Sequence, residues 1–235
     1  MIVVRAAAVV CAAAVAAGCG AESSGRATVW VTRGRGSDVL HIERVPAGLT
    51  AMQALARVAK IRTRYGGRFV LSVDGIASRS RRDWFYYVNG YLADRSAAEY
   101  KLHPGDVEWW DFHRWSNPAD DPVVVGAFPE PFRHGYAGRR RRAVVVARPD
   151  APRAAVRRIA QLVGAKTILP RMSHIPAGTN VLLLMHTRGV FFQAEPTRSE
   201  PGSRVVFVYQ GDIRKLARRP ALARFRYQIP YELGP

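Results

Sequence analysis

Aromatic side chains that could contact a ligand are concentrated between positions 84 and 115 of this chain. Four of its five tryptophans lie there. Large rings give a wide contact area at low cost in conformational entropy, which suits a binding surface. They equally suit the packed face of a strand. The candidate ligand-binding residues are the aromatic positions and one turn residue: Trp84, Tyr87, Asn89, Tyr91, Trp109, Trp110 and Trp115.

Carboxylates are the second group in this segment that could do chemistry. Asp106, Glu108 and Asp111 lie close together. Alternation along a strand would place Glu108 on the opposite face from Asp111, so these two alone would not form a catalytic pair. The sequence has no nucleophile elbow, no phosphate-binding loop and no zinc-type histidine spacing. We therefore expect a protein that is not an enzyme, with no catalytic residue and no metal site, and the sequence leaves any cofactor unknown.

The elements that position these residues follow from hydrophobic patterning. Alternation and turn residues predict strands, and an apolar stripe behind Thr50, a candidate N-cap, predicts a short helix. The predicted order over 27–116 is β-β-α-β-β-β, with strands at 27–33, 39–45, 69–73, 84–88 and 107–113. Alternation places Trp84, Tyr86 and Val88 on one face of their strand and Tyr87 on the other.

Three short motifs of this first domain resemble a known family. They are Gly48–Ala51 at the helix start, Trp84–Gly90 in the aromatic strand and turn, and Gly105–Trp109 at the start of the last strand. Together they resemble the C-terminal domain of transcobalamin and intrinsic factor, and bacterial domains of unknown function related to it. The resemblance covers about residues 27–115 and implies a β-grasp-like fold, in which a curved mixed sheet holds one helix.

The resemblance also implies a class of ligand. In transcobalamin this domain caps bound cobalamin, while a separate helical barrel supplies the other face of the site. The present chain is too short to contain that barrel, so a cobalamin-like molecule, as ligand rather than cofactor, is implied only by the resemblance. In the resembling proteins the turn equivalent to Asn89–Gly90 faces the ligand. We therefore expect Tyr87 and Tyr91 to edge the binding surface.

The first residues of the chain predict its location. Residues 1–19 have one basic residue, an Ala/Val run and a final Gly-Cys, typical of a secretory signal. The end of the run resembles the bacterial lipobox, with Ala16 where leucine is usual, and implies lipidation of Cys19. The alternative is an ordinary signal that is simply cleaved. Residues 20–26 read as a flexible tether. We expect an exported protein, lipid-anchored on the outer face of the cytoplasmic membrane.

The charge of the chain leaves two interpretations open. The formal net charge is +18, and 32 of the 36 basic residues are arginine. Arginine favours phosphate and carboxylate partners, which would suit an anionic polymer. The same excess is typical of a high-GC genome, which uses arginine wherever a basic residue is needed. The single run, Arg139–Arg142, is typical of a solvated linker, and we expect no specific nucleic-acid partner.

The remainder of the chain predicts a second small α+β domain at 123–235, after a Pro-rich linker at 117–122. We expect a strand and extended turn over 123–132, strands near 143–147, 181–185, 190–193 and 205–209, and helices that begin at Pro152 and Ile213. No family is identified for this half.

Together these features predict a cell-surface ligand-binding lipoprotein, with a cobalamin-like small molecule for uptake as the first candidate and a membrane transporter as a possible partner. The alternative is an envelope interaction or scaffold module without a small-molecule ligand. Binding of an anionic polymer through the arginine excess is a third hypothesis.

Overall fold

The computed structural model describes residues 25–117 and 121–230, which form three β-sheets and three α-helices. The fold is mixed α+β, as the sequence predicts, and strands predominate. The predicted signal segment, with Cys19, lies outside the described residues. Within the described ranges no helix is both long enough and apolar enough to cross a membrane.

The first half of the described chain contains eight strands and one helix. They are β1 (Arg26–Arg33), β2 (Asp38–Pro46), α1 (Ala51–Val58), β3 (Ile61–Arg64), β4 (Phe69–Val73), β5 (Ile76–Ala77), β6 (Arg82–Val88), β7 (Tyr91–Leu92) and β8 (Val107–Arg114). Five strands form one sheet in the order β2-β1-β8-β6-β7, and β3-β4-β5 form a small second sheet. Each of the five predicted strands is present.

The arrangement of these strands differs from the predicted single sheet. β4, expected to join the main sheet, pairs instead with β3 and β5. β3 was not predicted because Ile61 is its only apolar residue, so it has no hydrophobic alternation. Gly66 and Gly67, both at positive φ, lie between β3 and β4 in the hairpin connection.

Helix α1 begins where the sequence predicts. The Thr50 hydroxyl accepts a hydrogen bond from the Gln53 backbone N–H at 3.1 Å, and the Gln53 side chain accepts from the Thr50 N–H at 2.9 Å. This reciprocal pair is a capping box, which satisfies two backbone donors at the helix start. The apolar side of α1, with Met52 and Leu55, is buried in the main core.

The second half contains five strands and two helices. They are β9 (Ala143–Ala147), α2 (Arg153–Leu162), β10 (Thr167–Leu169), β11 (Asn180–His186), β12 (Phe191–Pro196), β13 (Val205–Gly211) and α3 (Ile213–Arg218). Their sheet has the order β10-β9-β11-β13-β12 and is parallel except for β12. The strands at 143–147, 181–185, 190–193 and 205–209 and both predicted helices are present, with bounds shifted by a few residues. Short β10 was not predicted.

The strand predicted at the start of 123–132 is wrong. Val125–Ala127 forms a 3₁₀ turn, buried against the first sheet. A Cβ on Gly126 would lie 2.6 Å from the Trp109 ring, so this turn packs directly on that tryptophan. Pro129 and Pro131 cannot donate backbone hydrogen bonds, which disfavours a paired strand here.

The two faces of the first sheet follow the predicted alternation. Trp84, Val88 and Trp110 belong to the main core, which also contains the buried side of α1. Tyr87 and Trp109 belong to a separate cluster on the other face. That second face is covered by residues 124–127 and 225–227 of the second half. The main core itself continues into the second half, through side chains such as those of α2 and β13.

Candidate functional site

Polar side chains collect at the edge of the first sheet where β1 and β8 end. These strands are parallel, with Thr32 opposite Asp111, so their carboxyl ends meet at the same edge. β6 begins there too, because Arg82 is paired with Arg114 in the antiparallel ladder. Side chains from three strands and their turns therefore form one cluster.

Asp111 is the centre of this cluster. Its side chain is fully buried. One carboxyl oxygen accepts from the Thr32 hydroxyl at 2.5 Å and from the Gly36 N–H at 2.9 Å, and the other accepts from the Arg35 N–H at 3.0 Å. A buried carboxyl group is tolerated only when it is hydrogen-bonded. These donors tie the β1–β2 turn to the end of β8.

His113 is held by Asp111. Its Nδ1 lies 2.8 Å from the second Asp111 oxygen, and the Tyr227 hydroxyl lies 3.2 Å from both groups. The imidazole also stacks on Phe85, with ring centroids 4.5 Å apart. A carboxyl group at Nδ1 places the ring proton on that nitrogen, so the neutral ring presents Nε2 as an acceptor. The pair thus fixes both the orientation and the tautomer of His113.

A cleft of about 790 Å³ opens beside His113, and we call it the sheet-end cleft. Its walls come from the β1–β2 turn, the β4–β5 turn, the segment leading into β6 and the end of β8. Ile76 and Phe112 give it an apolar portion, and Asp38 is the single carboxylate among the described residues that line it. Five arginines line it: Arg33, Arg35, Arg79, Arg82 and Arg114.

Two of the five arginines are neutralised. Arg33 pairs with Asp38 and Arg35 with Asp121, each at 2.5 Å. Partial burial lowers the pKa of Arg35, but its hydrogen bond and attraction to Asp121 outweigh burial, so the pKa of Arg35 lies above its usual value.

The other three arginines carry the charge of the cleft. Within residues 25–117 and 121–230, Arg79, Arg82 and Arg114 have no carboxylate within 4.0 Å of their guanidinium groups. Their side chains are exposed to solvent. The sheet-end cleft is therefore positively charged, and an anion could pair with these three guanidinium groups, which have no carboxylate partner in the described part of the chain.

The other predicted carboxylates lie away from this cleft. Glu108 is fully buried; one of its oxygens accepts from the Trp110 indole N–H at 2.5 Å, and the other has no hydrogen-bond partner among the described residues. Burial raises the pKa of Glu108 well above its usual value. Burial also raises the pKa of Asp106, although hydrogen bonds from His103 and Asn89 oppose the shift. Glu108 and Asp111 lie on opposite faces of β8, as alternation predicts.

Six of the seven candidate ligand-binding residues are buried. Trp84, Tyr87, Asn89, Tyr91, Trp109 and Trp110 are between 0% and 6% exposed, whereas Trp115 is partly exposed. Their side chains contact other residues of the protein rather than solvent.

The turn region expected to edge a binding surface is likewise tied inward. Asn89 donates to Asp106 at 2.7 Å, and the Tyr91 hydroxyl donates to the Ser203 carbonyl at 2.7 Å. Tyr87 packs on Trp109 and Tyr227, with ring centroids 5.8 and 5.5 Å apart. Ligand contact by these rings stays a prediction, and it would require the covering segments to move.

Sequence reasoning did not find the residues of the sheet-end cleft. One local signal exists, because Asp111 and His113 are two positions apart on one strand and so share a face. The arginines carry no such signal. The β1–β2 turn, the segment before β6 and the end of β8 bring Arg35, Arg79 and Arg114 together, and the parallel pairing of β1 with β8 is a long-range contact.

Part of this region matches a known domain. A domain of unknown function, DUF4430, matches residues 48–114. The match includes α1, β6 and β8 and three arginines of the cleft, Arg79, Arg82 and Arg114. It does not include β1 or the second half.

The other comparisons add little about binding. A solved structure titled a "putative metal binding protein", from Ruminococcus gnavus, is 15% identical over 39% of this chain and 99% of that one, with a TM-score of 0.32. With so low a score, this likeness carries no argument about what the present chain binds. No curated protein matches this chain. Among the described residues, no group of three or more His, Cys, Asp or Glu side chains is arranged to hold a metal ion.

Proposed function

We propose that the protein is an exported binding protein whose ligand is a small anionic molecule held in the sheet-end cleft. The observation that carries this proposal is the cleft itself, with three arginines unpaired among the described residues beside an imidazole fixed by Asp111. Exposed arginines are often only solvated. Here they converge on one concave surface, which favours binding.

The chemistry of the cleft indicates which groups it would recognise. A guanidinium group offers parallel N–H donors that match the two oxygens of a carboxylate or phosphate. His113 is 5% exposed, so a ligand would meet only the edge of the ring that lines the cleft, where Nε2 would add an acceptor, or a further donor when protonated. Phe112 and Ile76 would contact an apolar part of the same molecule. The expected ligand therefore combines a phosphate or carboxylate with a polar acceptor and an apolar portion.

A cobalamin-like ligand is compatible with this chemistry. Cobalamin carries a phosphate group, and the motifs of residues 27–115 resemble the domain that caps cobalamin in transcobalamin. We propose for the first half a variant of the β-grasp plan, in which α1 packs on the main sheet and β3-β4-β5 form an additional small sheet. On this proposal the protein delivers its ligand to a membrane transporter.

We assign binding rather than catalysis to the Asp111–His113 pair. Such a pair would need a nucleophile or a positioned water to act as a catalytic base. Ser37 is the one hydroxyl side chain among the described residues that line the cleft, and it bonds the Arg33 carbonyl at 3.3 Å. No contact between Ser37 and His113 links them as nucleophile and base in the described structure.

A second candidate function is an envelope interaction module. β2 is an edge strand of the first sheet, and it exposes Val39 and Ile42, at 42% and 47%. At the β3–β4 hairpin, Tyr65 and Phe69 form an exposed ring pair with centroids 6.4 Å apart. Exposed edges and apolar side chains favour pairing with another protein.

The binding proposal is tested by titrating the full-length chain with cyanocobalamin, followed by absorbance, and with inorganic phosphate, followed by calorimetry. Arg114→Gln should weaken binding of the responding ligand about tenfold, as expected for a lost charge-assisted hydrogen bond. Arg57→Gln, on the exposed side of α1, removes the same charge elsewhere and serves as the control.

Equal losses for the two variants, or no saturable binding of either ligand, would contradict the proposal. Retention of binding by Arg114→Gln together with capture of one membrane protein would favour the interaction module instead.

The location of the protein is a separate part of the proposal. We propose that Cys19 is lipidated and anchors the chain outside the cytoplasmic membrane. Cys19→Ala should then release the protein from the membrane fraction or leave the signal uncleaved. Persistent membrane association of a normally cleaved Cys19→Ala protein would show that another feature, such as the basic surface, holds it there.

A further inference from the structure

We propose that a second arginine-rich cleft, at the junction of the two halves, binds a phosphate group. This inter-half cleft has a volume of about 880 Å³. Among the residues that the structure describes, Glu200 is the single carboxylate in its lining. Six arginines line it: Arg95, Arg139, Arg140, Arg141, Arg198 and Arg204. The proposal is independent of the sheet-end cleft, with which it shares no lining residue.

Arg141 is the most firmly positioned of these arginines. Its Nε donates to the Gly202 carbonyl at 2.7 Å and its Nη1 to the Gly178 carbonyl at 3.3 Å. These acceptors come from two different loops. Carbonyl oxygens fix the guanidinium group but carry no formal charge, so the positive charge of Arg141 is not neutralised by them.

Two neighbouring arginines are held in the same way. Arg204 donates from Nε to the Thr179 carbonyl at 2.9 Å, and Arg140 donates from Nη2 to the Gly164 carbonyl at 3.1 Å. A guanidinium group has five N–H donors, so each keeps donors for a ligand. Within the described ranges, no carboxylate lies within 4.0 Å of either group.

One glycine is required for this arrangement. Gly164 has φ +63°, and a Cβ there would lie 2.3 Å from Nη2 of Arg140. Only glycine therefore combines this backbone conformation with the close approach of the guanidinium group.

The loop between β12 and β13 is also fixed before any ligand arrives. The Thr197 N–H donates to the Arg204 carbonyl at 2.7 Å, which closes the base of the loop. The Tyr91 hydroxyl, from the first half, donates to the Ser203 carbonyl at 2.7 Å. A site whose side chains and loop are already ordered loses less entropy on binding. This order distinguishes the inter-half cleft from a solvated run of arginines.

The number and type of donors favour phosphate. Three guanidinium groups, two from the neighbouring residues Arg140 and Arg141 and one from Arg204, can reach several oxygens of a tetrahedral anion, whereas a single planar carboxylate is satisfied by one of them. The phosphate could belong to a free phosphorylated molecule or to a phospholipid headgroup. Both sources present the same chemistry, and the experiment separates them.

The test is calorimetric titration of the full-length chain with pyrophosphate. Arg141→Gln should weaken binding about tenfold or more, because a charge-assisted hydrogen bond is lost. Arg157→Gln, on the exposed side of α2, lowers the net charge equally and should change affinity by less than about twofold. Equal losses in the two variants would mean that the total charge, rather than the cleft, attracts the anion, and would overturn the proposal.

Arg198→Gln is a second variant that should not disturb folding. The Arg198 side chain is exposed, and its contact with the loop is through the backbone carbonyl. This variant should melt at the wild-type temperature and still bind pyrophosphate less tightly. Wild-type affinity in both Arg198→Gln and Arg141→Gln would overturn the proposal.

Vesicles identify the source of the phosphate. The same variants are sedimented with phosphatidylglycerol vesicles, and with phosphatidylcholine vesicles as a control for surface charge. If Arg141→Gln weakens pyrophosphate binding but not vesicle binding, the ligand is a soluble phosphorylated molecule. If it weakens vesicle binding but not pyrophosphate binding, the ligand is a lipid headgroup. Independence from Arg141 in both assays would overturn the proposal.

Discussion

Glu108 is the side chain whose burial has the clearest consequence for the stability of this protein. It is fully buried, and one of its carboxyl oxygens has no partner within residues 25–117 and 121–230. Its pKa lies well above the usual value of 4.5 because burial disfavours the charged form. The hydrogen bond from Trp110 opposes this shift only in part. Asp106, also buried, has its pKa raised in the same direction.

The sign of the resulting pH dependence follows directly. As pH rises above about 4.5, Glu108 loses its proton first in the unfolded chain, so the unfolded state binds fewer protons than the folded state. The free energy of unfolding therefore falls as pH rises towards the folded pKa. Glu108→Gln is neutral at every pH, so its stability relative to wild type should increase with pH by up to ~1.4 kcal/mol per unit.

Urea denaturation at several pH values between 5 and 8 measures this difference. Glu43→Gln, an exposed position on β2, is the control and should follow wild type throughout. A constant difference between Glu108→Gln and wild type over this range would show that Glu108 titrates normally.

Tyr87 provides a test of whether the aromatic residues act as core or as ligand contacts. Its side chain is 1% exposed and packs between Trp109 and Tyr227. Tyr87→Ala should lower the free energy of unfolding by about 3–5 kcal/mol, as for other large aromatic truncations in a core. Tyr65→Ala, at a position that is 76% exposed, should change it by less than about 0.5 kcal/mol. A stable Tyr87→Ala protein that has lost ligand binding would instead assign this ring to a site.

Among the secondary-structure elements, α1 is one whose start is determined by local sequence. It depends on the cap formed by Thr50. The helix is eight residues long, which is too short to be stable without capping and packing. Thr50→Ala removes the side-chain acceptor of the capping box and should cost about 1 kcal/mol. Thr50→Ser keeps a hydroxyl acceptor and should recover most of that loss. Equal stability of the two variants, measured by thermal unfolding, would show that packing alone sets the start of α1.

The sequence predicts the elements that have a strong local signal and misses those that depend on long-range packing. β1, β6 and β8 alternate apolar and polar residues or carry large aromatics, and α1 and α2 have a clear apolar side, so local pattern is sufficient. β3 has one apolar residue and exists because it pairs with β4. Val123–Val125 is apolar like a strand, yet the chain turns at Val125–Ala127, and Val124 and Ala127 pack with Trp109. In both cases a long-range contact overrides the local pattern.

The candidate site is less predictable than the elements. The aromatic residues at 84–115 are predicted as ligand contacts because large rings bind ligands well. Their large apolar area also favours burial in the core, which is where most of them lie. The charged residues of the two clefts are individually ordinary. Parallel pairing of β1 with β8, and the loops around Gly164 and Gly202, bring them together. Composition alone could not separate arginines that line a cleft from those that a high-GC genome places elsewhere.

At the scale of the whole molecule, the two halves share buried surface. Residues 225–227 and 124–127, both from the second half, cover Trp30, Tyr87 and Trp109 of the first sheet. The Tyr227 hydroxyl also donates a hydrogen bond to Asp111, the buried carboxylate beside the sheet-end cleft. Independent folding of 27–116 and 123–235 stays a prediction, and these contacts determine how it should be tested.

A fragment of residues 26–116 contains the whole first sheet but lacks its cover. We expect its free energy of unfolding to be lower than that of the intact chain, by ~2 kcal/mol for each aromatic ring returned to water. The exposed rings should bind a hydrophobic dye. Guanidinium denaturation followed by tryptophan fluorescence measures both the midpoint and the cooperativity, since four of the five tryptophans lie within 84–115.

The matched control is the intact chain cut at a protease site inserted in the 117–122 linker. It has the same new chain end as the fragment, but the second half is still present to cover Trp109. If cover is what stabilises the first sheet, the cut protein should stay associated and unfold near the intact midpoint, whereas the fragment should not. A fragment that unfolds cooperatively at the midpoint of the intact chain would instead establish two independent domains. The contacts of Tyr227 would then serve to position Asp111 and His113 rather than to stabilise the first sheet.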